Sequence, residues 1–192
     1  MLDDPYAQFD DWFAHAVAAG QPEPEAMAVA TSTADGRSSV RFVLMRAHDE
    51  RGFVFYTNRD SRKGIELAAN PWASIAFRWS VTDRQVRAAG PVEMVDDDQS
   101  DAYFASRPRG SQLAAWASAQ SRPVESREAL ERLWSETEDR FAGQEVPRPT
   151  SWGGYRVRPV EIEFWQQGEF RMHDRFQYRR LGEGWEQRRL AP

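Results

Sequence analysis

Between Arg41 and Lys63 the chain reads RFVLMRAHDERGFVFYTNRDSRK. Arg41, Phe42, Val43, Leu44, Met45 and Arg46 form an apolar run with a cation at each end, and Phe53 to Thr57 is aromatic and β-branched. Runs this short with those residue types read as strands, and His48 to Gly52 supplies the turn that joins them. Asp60 and Ser61 are N-cap residues for a helix continuing through Ile65, Glu66 and Leu67. Arg41, Arg46, Arg62 and Lys63 therefore sit on strand ends and on a first helical turn, where the dipole favours acidic residues instead. Cations placed there make sense when an anion binds against side chains and backbone N–H groups together. A phosphorylated ligand fits that pattern. A solvated basic face fits it too, so the rest of the chain has to decide.

The flanking sequence extends the same architecture. Asp4 and Pro5 open a helix with Phe9, Trp12, Phe13, Ala16 and Val17 at helical spacing, closed by Gly20. Met27–Thr33 and Ser38–Arg46 form a hairpin across Asp35-Gly36. Trp72–Trp79 and Arg84–Val95 continue as strands, with Gly90-Pro91 marking a bulge or an edge. Helices occupy Asp96–Ser106, Ser111–Ala119 and Ser126–Ala142, interrupted by Pro108. Tyr155–Trp165, Arg171–Arg179 and Trp185–Leu190 read as closing strands. The expectation is one α+β domain over residues 1–192, mainly β. It is a roughly seven-strand antiparallel barrel with peripheral helices, comprising an N-terminal helix within 1–20 and a helical insertion at 96–142.

Composition narrows the chemistry. The net charge of −5 disfavours general binding to nucleic acid or anionic membranes, so any anion site must be local. With no cysteine, disulfides, thiolate metal sites and thiol nucleophiles are excluded. His15, His48 and His173 are too scattered to mark a metal site. No run has the length of a membrane span, and the opening Met1-Leu2-Asp3-Asp4 is acidic where a secretory leader is basic. The expectation is a cytoplasmic protein that would need an organic cofactor for redox or group-transfer chemistry.

Three further groups could hold chemistry. Tyr103, Arg107 and Ser111 recur every four residues and offer a ring, a forked cation and a hydroxyl on one side of a helix and its continuation. Gln120 and Ser121 lie just past a helix, with Gln85 far upstream, and amides can bridge a heterocycle or a phosphate. Arg171, His173 and Arg175, placed on a strand, would project from one face beyond Trp165. Two arginines flanking a histidine are costly if buried without an anion. A capped helix, an ordinary loop and an exposed basic strand face explain these groups about as well. The physical reading stops at a phosphorylated, aromatic ligand such as a flavin or a pyridoxal.

At these residues the chain resembles the pyridoxamine/pyridoxine 5′-phosphate oxidase family, flavoenzymes that make pyridoxal 5′-phosphate. The resemblance runs from about Asp4 to Pro192. It rests on RFVLMR, FYTNRDSRK, SRPRGSQ, Ala117–Ser121 (ASAQS), WGGYRV, IEFWQ, RMHDR and the closing RLAP, in that order and spacing. The resemblance implies a split β-barrel, a homodimer, and two FMN sites at the subunit interface. By motif position it assigns the FMN phosphate to Arg62 and Lys63. Arg41 and the strand after it, Phe42, Val43, Leu44, Met45 and Arg46, would also contact the cofactor. Tyr56, Thr57, Gln85, Gln120, Ser121, Trp165 and Arg175 would complete that site. The substrate phosphate would fall to Tyr103, Arg107 and Ser111 with help from Arg46, and Arg171 and His173 would lie against the pyridine ring. The implied reaction is hydride transfer to the flavin, with dioxygen as the final acceptor and hydrogen peroxide as product.

Two departures bear on the substrate. Position 46 is Arg where the family usually has Lys, which keeps the charge on a bulkier, forked head. Family members also commonly carry an N-terminal arm with an Arg and a Tyr over the substrate, whereas Asp3-Asp4-Pro5 matches the segment just after that arm. Either the lid is absent and the site more open, or the sequence begins after it. The competing expectations are a flavin oxidase of the phenazine type and a non-catalytic barrel that binds a flavin or pyridoxal phosphate. The SRPRGS string, which keeps Tyr103, Arg107 and Ser111 together, favours the vitamin-phosphate oxidase.

Overall fold

The computed structural model describes residues 1–192. In chain order it contains α1 (Pro5–Ala18), β1 (Ala26–Ser32), β2 (Ser38–Leu44), β3 (Ala47–Asp49), β4 (Gly52–Asn58) and α2 (Arg62–Ala69). Next come β5 (Trp72–Trp79), β6 (Arg84–Met94), α3 (Asp97–Ser106), α4 (Arg109–Ala117) and α5 (Arg127–Arg140). The chain closes with β7 (Trp152–Val157), β8 (Glu161–Gln166), a 3-10 turn at Glu169–Arg171, β9 (Asp174–Leu181) and β10 (Gly184–Arg189). The class is mainly β with peripheral helices, as the sequence implies. The ten strands exceed the expected seven or so because the Tyr155–Trp165 run divides in two and the expected turn region contains the short β3.

Every strand pairing is antiparallel, and the main path runs β10-β9-β8-β6-β5-β1-β2. The curl comes from β6, which changes neighbours along its length. Arg84–Ala89 pair with β8, whereas Val92–Met94 pair with β7, which in turn pairs with β4. The change falls at Gly90-Pro91. A Cβ on Gly90 would lie 2.0 Å from the Arg158 carbonyl oxygen, so only glycine lets the two backbones approach there. Across that corner Arg158 and Val160 donate to the carbonyls of Pro91 and Ala89. The expected single strand Tyr155–Trp165 is therefore two strands meeting at Arg158–Val160, with Pro159 at the bend.

The helix ends are set by their side chains. Asp4 caps α1 by accepting from the Tyr6 N–H, Ser61 caps α2 through the Gly64 N–H, and Asp96 and Ser126 cap α3 and α5. The apolar stripe of α1 closes one mouth of the sheet. Phe9 is fully buried against Phe53, Phe77 and Trp79, and the Trp12 ring meets Phe164 edge-on. A smaller core of Phe104, Leu113, Phe141, Val146 and Trp152 joins the helical insertion to β7.

Two further expectations change. The segment beginning at Arg171 is not yet a strand: Phe170 and Arg171 have φ of 53° and 65°, and β9 starts only at Asp174. Arg171, His173 and Arg175 thus do not share a strand face. The α3 helix also ends at Ser106, because the residue before a proline is pushed into extended backbone and Arg107 adopts it. Tyr103 and Ser111 consequently lie on separate helices.

Candidate active site

The strands β2 and β4 set one wall of a cavity of about 310 Å³, and α2, α3 with Arg107, the Gln120 segment after α4, and Trp152 of β7 set the others. Its lining includes Arg41–Leu44, Arg46, Tyr56, Thr57, Lys63, Tyr103, Arg107 and Gln120. Much of the predicted cofactor and substrate set thus converges within one chain. Met45 instead faces the core. Ser111 and Ser121 do not line the cavity, and the Arg62 side chain is 63% exposed beside it.

Lys63 is the electrostatic centre. It is 7% exposed, and its ammonium donates to Thr57 Oγ1 at 3.0 Å, Ser61 Oγ at 3.2 Å and Gln120 Oε1 at 2.9 Å. All three acceptors are neutral. Burial, reinforced by the nearby Arg41 charge and only partly offset by Glu66, pushes the Lys63 amine down to about 8. A buried cation held by dipoles alone carries an uncompensated charge, and an anion would neutralise it.

A second cation at the cavity, the half-buried Arg107, is also incompletely matched. Arg107 lies with its guanidinium carbon 4.7 Å from the Trp152 ring, and its Nη1 is buried with no hydrogen-bond partner. Burial depresses its pKa, and the Arg46 charge adds to that depression. Beside it Tyr56 and Tyr103 stack at 4.1 Å between ring centroids, with Trp152 5.4 Å from Tyr56. A Cβ on Gly154 would come within 2.8 Å of the Tyr56 ring, which is why glycine stands there in β7. The lining combines the cations Arg41, Arg46, Lys63 and Arg107 with the flat rings of Tyr56, Tyr103 and Trp152. It fits a phosphorylated, aromatic ligand.

Arg41 is already occupied. It donates to Val29 O, Thr31 Oγ1 and Ser39 Oγ, and lies 3.3 Å from Glu66 Oε2. The sequence reading missed Glu66 as a site residue, although its spacing four residues after Arg62 is the helical ion-pair spacing. It also missed Trp152, whose stacking depends on a register that no local pattern shows.

The remaining predicted residues gather elsewhere. Gln85 and Trp165 are cross-strand partners on β6 and β8, and Trp165 is paired in turn with Arg175 on β9. His173 lies 4.6 Å from the Trp165 ring, with its Nδ1 accepting from the Gly168 N–H. Arg171 is exposed on the 3-10 turn. Arg175 is already matched: it donates to both Glu163 oxygens, at 2.9 and 3.2 Å, and Arg87 also pairs with Glu163. This second group lies three to five steps from β2 along the sheet, with Gln85 on β6, Trp165 on β8 and Arg175 on β9, roughly 14 to 24 Å measured along the sheet at about 4.8 Å per step.

A half-barrel with a cationic, ring-lined cavity defines a class of protein that holds phosphorylated aromatic ligands, and comparison with known proteins narrows it. The sequence model described as "Pyridoxamine 5'-phosphate oxidase" matches residues 13–166, and that described as "Pyridoxine 5'-phosphate oxidase C-terminal dimerisation region" matches residues 152–192. The chain belongs to the pyridoxamine 5′-phosphate oxidase family. It is 57% identical over 189 residues to a pyridoxine/pyridoxamine 5′-phosphate oxidase of Rubrobacter xylanophilus, covering 98% of this chain and 87% of that one. It is 52% identical over 192 residues to the Synechocystis protein of that name, covering 100% and 90%. Among solved structures, PhzG of Burkholderia lata in complex with tetrahydrophenazine-1-carboxylic acid matches with a TM-score of 0.94 at 35% identity, covering 100% of this chain and 94% of that one. A pyridoxamine 5′-phosphate oxidase-related, FMN-binding protein of Nostoc punctiforme shares the fold, with a TM-score of 0.75 at 20% identity over 98% of each chain.

Proposed function

We propose that this chain is an FMN-dependent oxidase of pyridoxamine 5′-phosphate and pyridoxine 5′-phosphate. It works in the cytoplasm as a homodimer whose sites each draw residues from both copies. The observation that carries the reading is a pair of cations at one ring-lined cavity: Lys63, buried with only neutral hydrogen-bond partners, and the half-buried Arg107, whose Nη1 is buried with no partner. Identities of 52–57% to oxidases of that name support the substrate, and the dimerisation region at residues 152–192 supports the homodimer.

Bound FMN would supply a two-electron acceptor for a hydride from the substrate's C4′ carbon, with a proton lost from the amine or alcohol and dioxygen taking up the electrons as hydrogen peroxide. The alcohol yields the aldehyde directly, and the imine formed from the amine is hydrolysed by water to aldehyde and ammonia. Lys63 and Arg62 hold the cofactor phosphate, with Thr57 and Gln120 fixing the ammonium in place. Arg107, Tyr103 and Arg46 hold the substrate phosphate, with Ser111 at the start of α4. Arg171 and His173 orient the reacting amine or alcohol, and they arrive from the other copy together with Gln85, Trp165 and Arg175. The exposed strip Val40, Phe42 and the small residues Ala28, Ala30, Ser74 and Ala76 lie on one side of the sheet, where a second copy can pack closely.

Anaerobic mixing of the FMN-loaded protein with pyridoxamine 5′-phosphate tests the activity. Flavin absorbance should bleach, then recover in air with aldehyde and peroxide formed; a flavin that never bleaches refutes it. The PhzG likeness makes a tricyclic substrate the competing outcome, seen as bleaching by a dihydrophenazine carboxylate and not by the vitamin phosphate. Co-expression of Lys63→Met with Arg171→Gln/His173→Asn tests the shared site. Hybrid dimers then contain one intact site, so activity should return to about a quarter of wild type. If each site came from one chain, it would stay near zero.

A further inference from the structure

Glu66 is an unusual neighbour for a phosphate site. It sits on α2 one turn after Lys63, is 3% exposed, and points its carboxylate into the cation cluster. Oε2 accepts from Ser39 Oγ at 2.6 Å and from the Thr31 hydroxyl, and lies 3.3 Å from Arg41 Nη2. Oε1 accepts from Arg62 Nε at 2.9 Å. Burial pulls this carboxyl upward, but hydrogen bonds from Ser39, Thr31, Arg62 and Arg41 outweigh it and hold it at about 2. It is an anion at any working pH. Two of the cations assigned to cofactor binding, Arg41 and Arg62, are thus already engaged by a carboxylate of this same chain.

We propose that Glu66 is a built-in counter-anion that occupies Arg41 and Arg62 when no phosphate is present and competes with the FMN phosphate for them, so that it sets how tightly the cofactor is held. The inference rests on the FMN reading above. Glu66 is the only carboxylate in contact with Arg41 and Arg62, while the neighbouring Lys63 has neutral partners alone. With Glu66 present, an incoming phosphate meets a fixed like charge beside its own partners. Arg41 does not depend on Glu66 for its position, since Val29 O, Thr31 Oγ1 and Ser39 Oγ also hold it. Removing the charge therefore relieves repulsion more than it disorders the donors.

The test compares wild type with Glu66→Gln, which keeps the shape and removes the charge, and with Glu66→Asp, which keeps the charge. FMN and riboflavin are titrated into each FMN-free protein, and melting temperatures are taken with and without FMN. Wild-type binding of FMN in preference to riboflavin establishes the phosphate site itself, whatever the variants do. Glu66→Gln should bind FMN more tightly by on the order of five- to tenfold, leave riboflavin affinity unchanged, and melt lower than wild type only when FMN is absent. Glu66→Asp should show no gain. A merely structural Glu66 would lower both melting temperatures alike and weaken both ligands, which overturns the proposal. So does a gain that riboflavin shares. Should Glu66→Gln fold only when FMN is supplied, the phosphate is replacing the carboxylate as proposed; failure to fold even with FMN refutes it.

Discussion

The cavity under β2, β4 and α2 and the end of the sheet at β8–β9 carry a similar inventory, arginines beside aromatic rings, yet they are built in opposite ways. In the cavity the rings are stacked and half-buried, and Lys63 and Arg107 are held with their charge unmatched. At the β8–β9 end Arg175 is satisfied by Glu163, while Arg171 stands exposed on a turn with two consecutive left-handed residues. Such backbone costs about 1–3 kcal/mol per residue and persists where surroundings enforce it. Here Met172 donates to the Glu169 carbonyl across the turn, and a Cβ on Gly168 would lie 2.0 Å from the Met172 carbonyl oxygen. The first region stores unmet charge; the second stores geometry. Binding an anion needs the former, and aiming a group at a reacting carbon needs the latter.

The largest effect should come from the second region. Arg171→Gln with His173→Asn should lower kcat/KM by about 10³, in line with loss of positioned acid–base and orienting groups, while FMN affinity stays within about threefold. Stopped-flow flavin reduction and FMN titration on the same preparation separate the two quantities. Equal losses in both would erase the distinction between the regions.

Next in size is Lys63→Met. Loss of one charge-assisted contact to phosphate, worth about 2–3 kcal/mol, should weaken FMN by roughly 30- to 150-fold. The FMN-free variant should melt at or above wild type, because a buried unmatched charge has gone. A variant that melts lower without FMN would mean that Thr57, Ser61 and Gln120 already satisfy the ammonium.

The same lysine gives a pH signature of intermediate size. Its amine is pushed down to about 8 by burial, against an ordinary 10.5. Between those values the unfolded chain binds more protons than the folded one, so the stability of the FMN-free protein rises with pH across that window. A bound phosphate favours the charged amine, so FMN binding takes up a proton above about pH 8. FMN affinity should fall as pH rises from 8 to 9.5, by at most about tenfold per unit, and Lys63→Met should flatten the profile. A wild-type profile that is already flat would remove Lys63 from the phosphate site.

How far the sequence reveals all this differs between the regions for a physical reason. One wall of the cavity is written locally: β2, β4 and the capped start of α2 lie within Ser38–Ala69, and turn chemistry and the Ser61 cap are short-range signals, whereas Tyr103, Arg107, Gln120 and Trp152 come from distant segments. The division of Tyr155–Trp165 is visible only in Pro159, and its cause is the partner change of β6 at Gly90, a contact distant in sequence. A face shared by Arg171, His173 and Arg175 depends on alternation, which holds only inside a strand, and the φ values at Phe170 and Arg171 end it. Trp152 carries no local signal, and Glu66 only its spacing from Arg62, because a stacked ring and a carboxylate buried against Arg41 are ordinary residues until tertiary packing sets their neighbours.

The smallest effect sharpens the comparison most. If the cavity works through charge and the β8–β9 end through geometry, an arginine-to-lysine change should be tolerated in the first and not in the second. Arg46 is exposed at the cavity rim, and its charge reaches Arg107 without any side-chain hydrogen bond of its own. Arg46→Lys should therefore change kcat/KM by less than about threefold, because the cation and its reach survive and Arg107 still supplies a fork to the phosphate. Arg171→Lys should cost more than about thirtyfold, since a flexible ammonium cannot reproduce a planar fork fixed by a strained turn. Steady-state kinetics on the two variants with pyridoxamine 5′-phosphate decide between the cases. Comparable losses would mean that Arg46 also grips its ligand through two parallel hydrogen bonds, and that geometry governs both ends of the site.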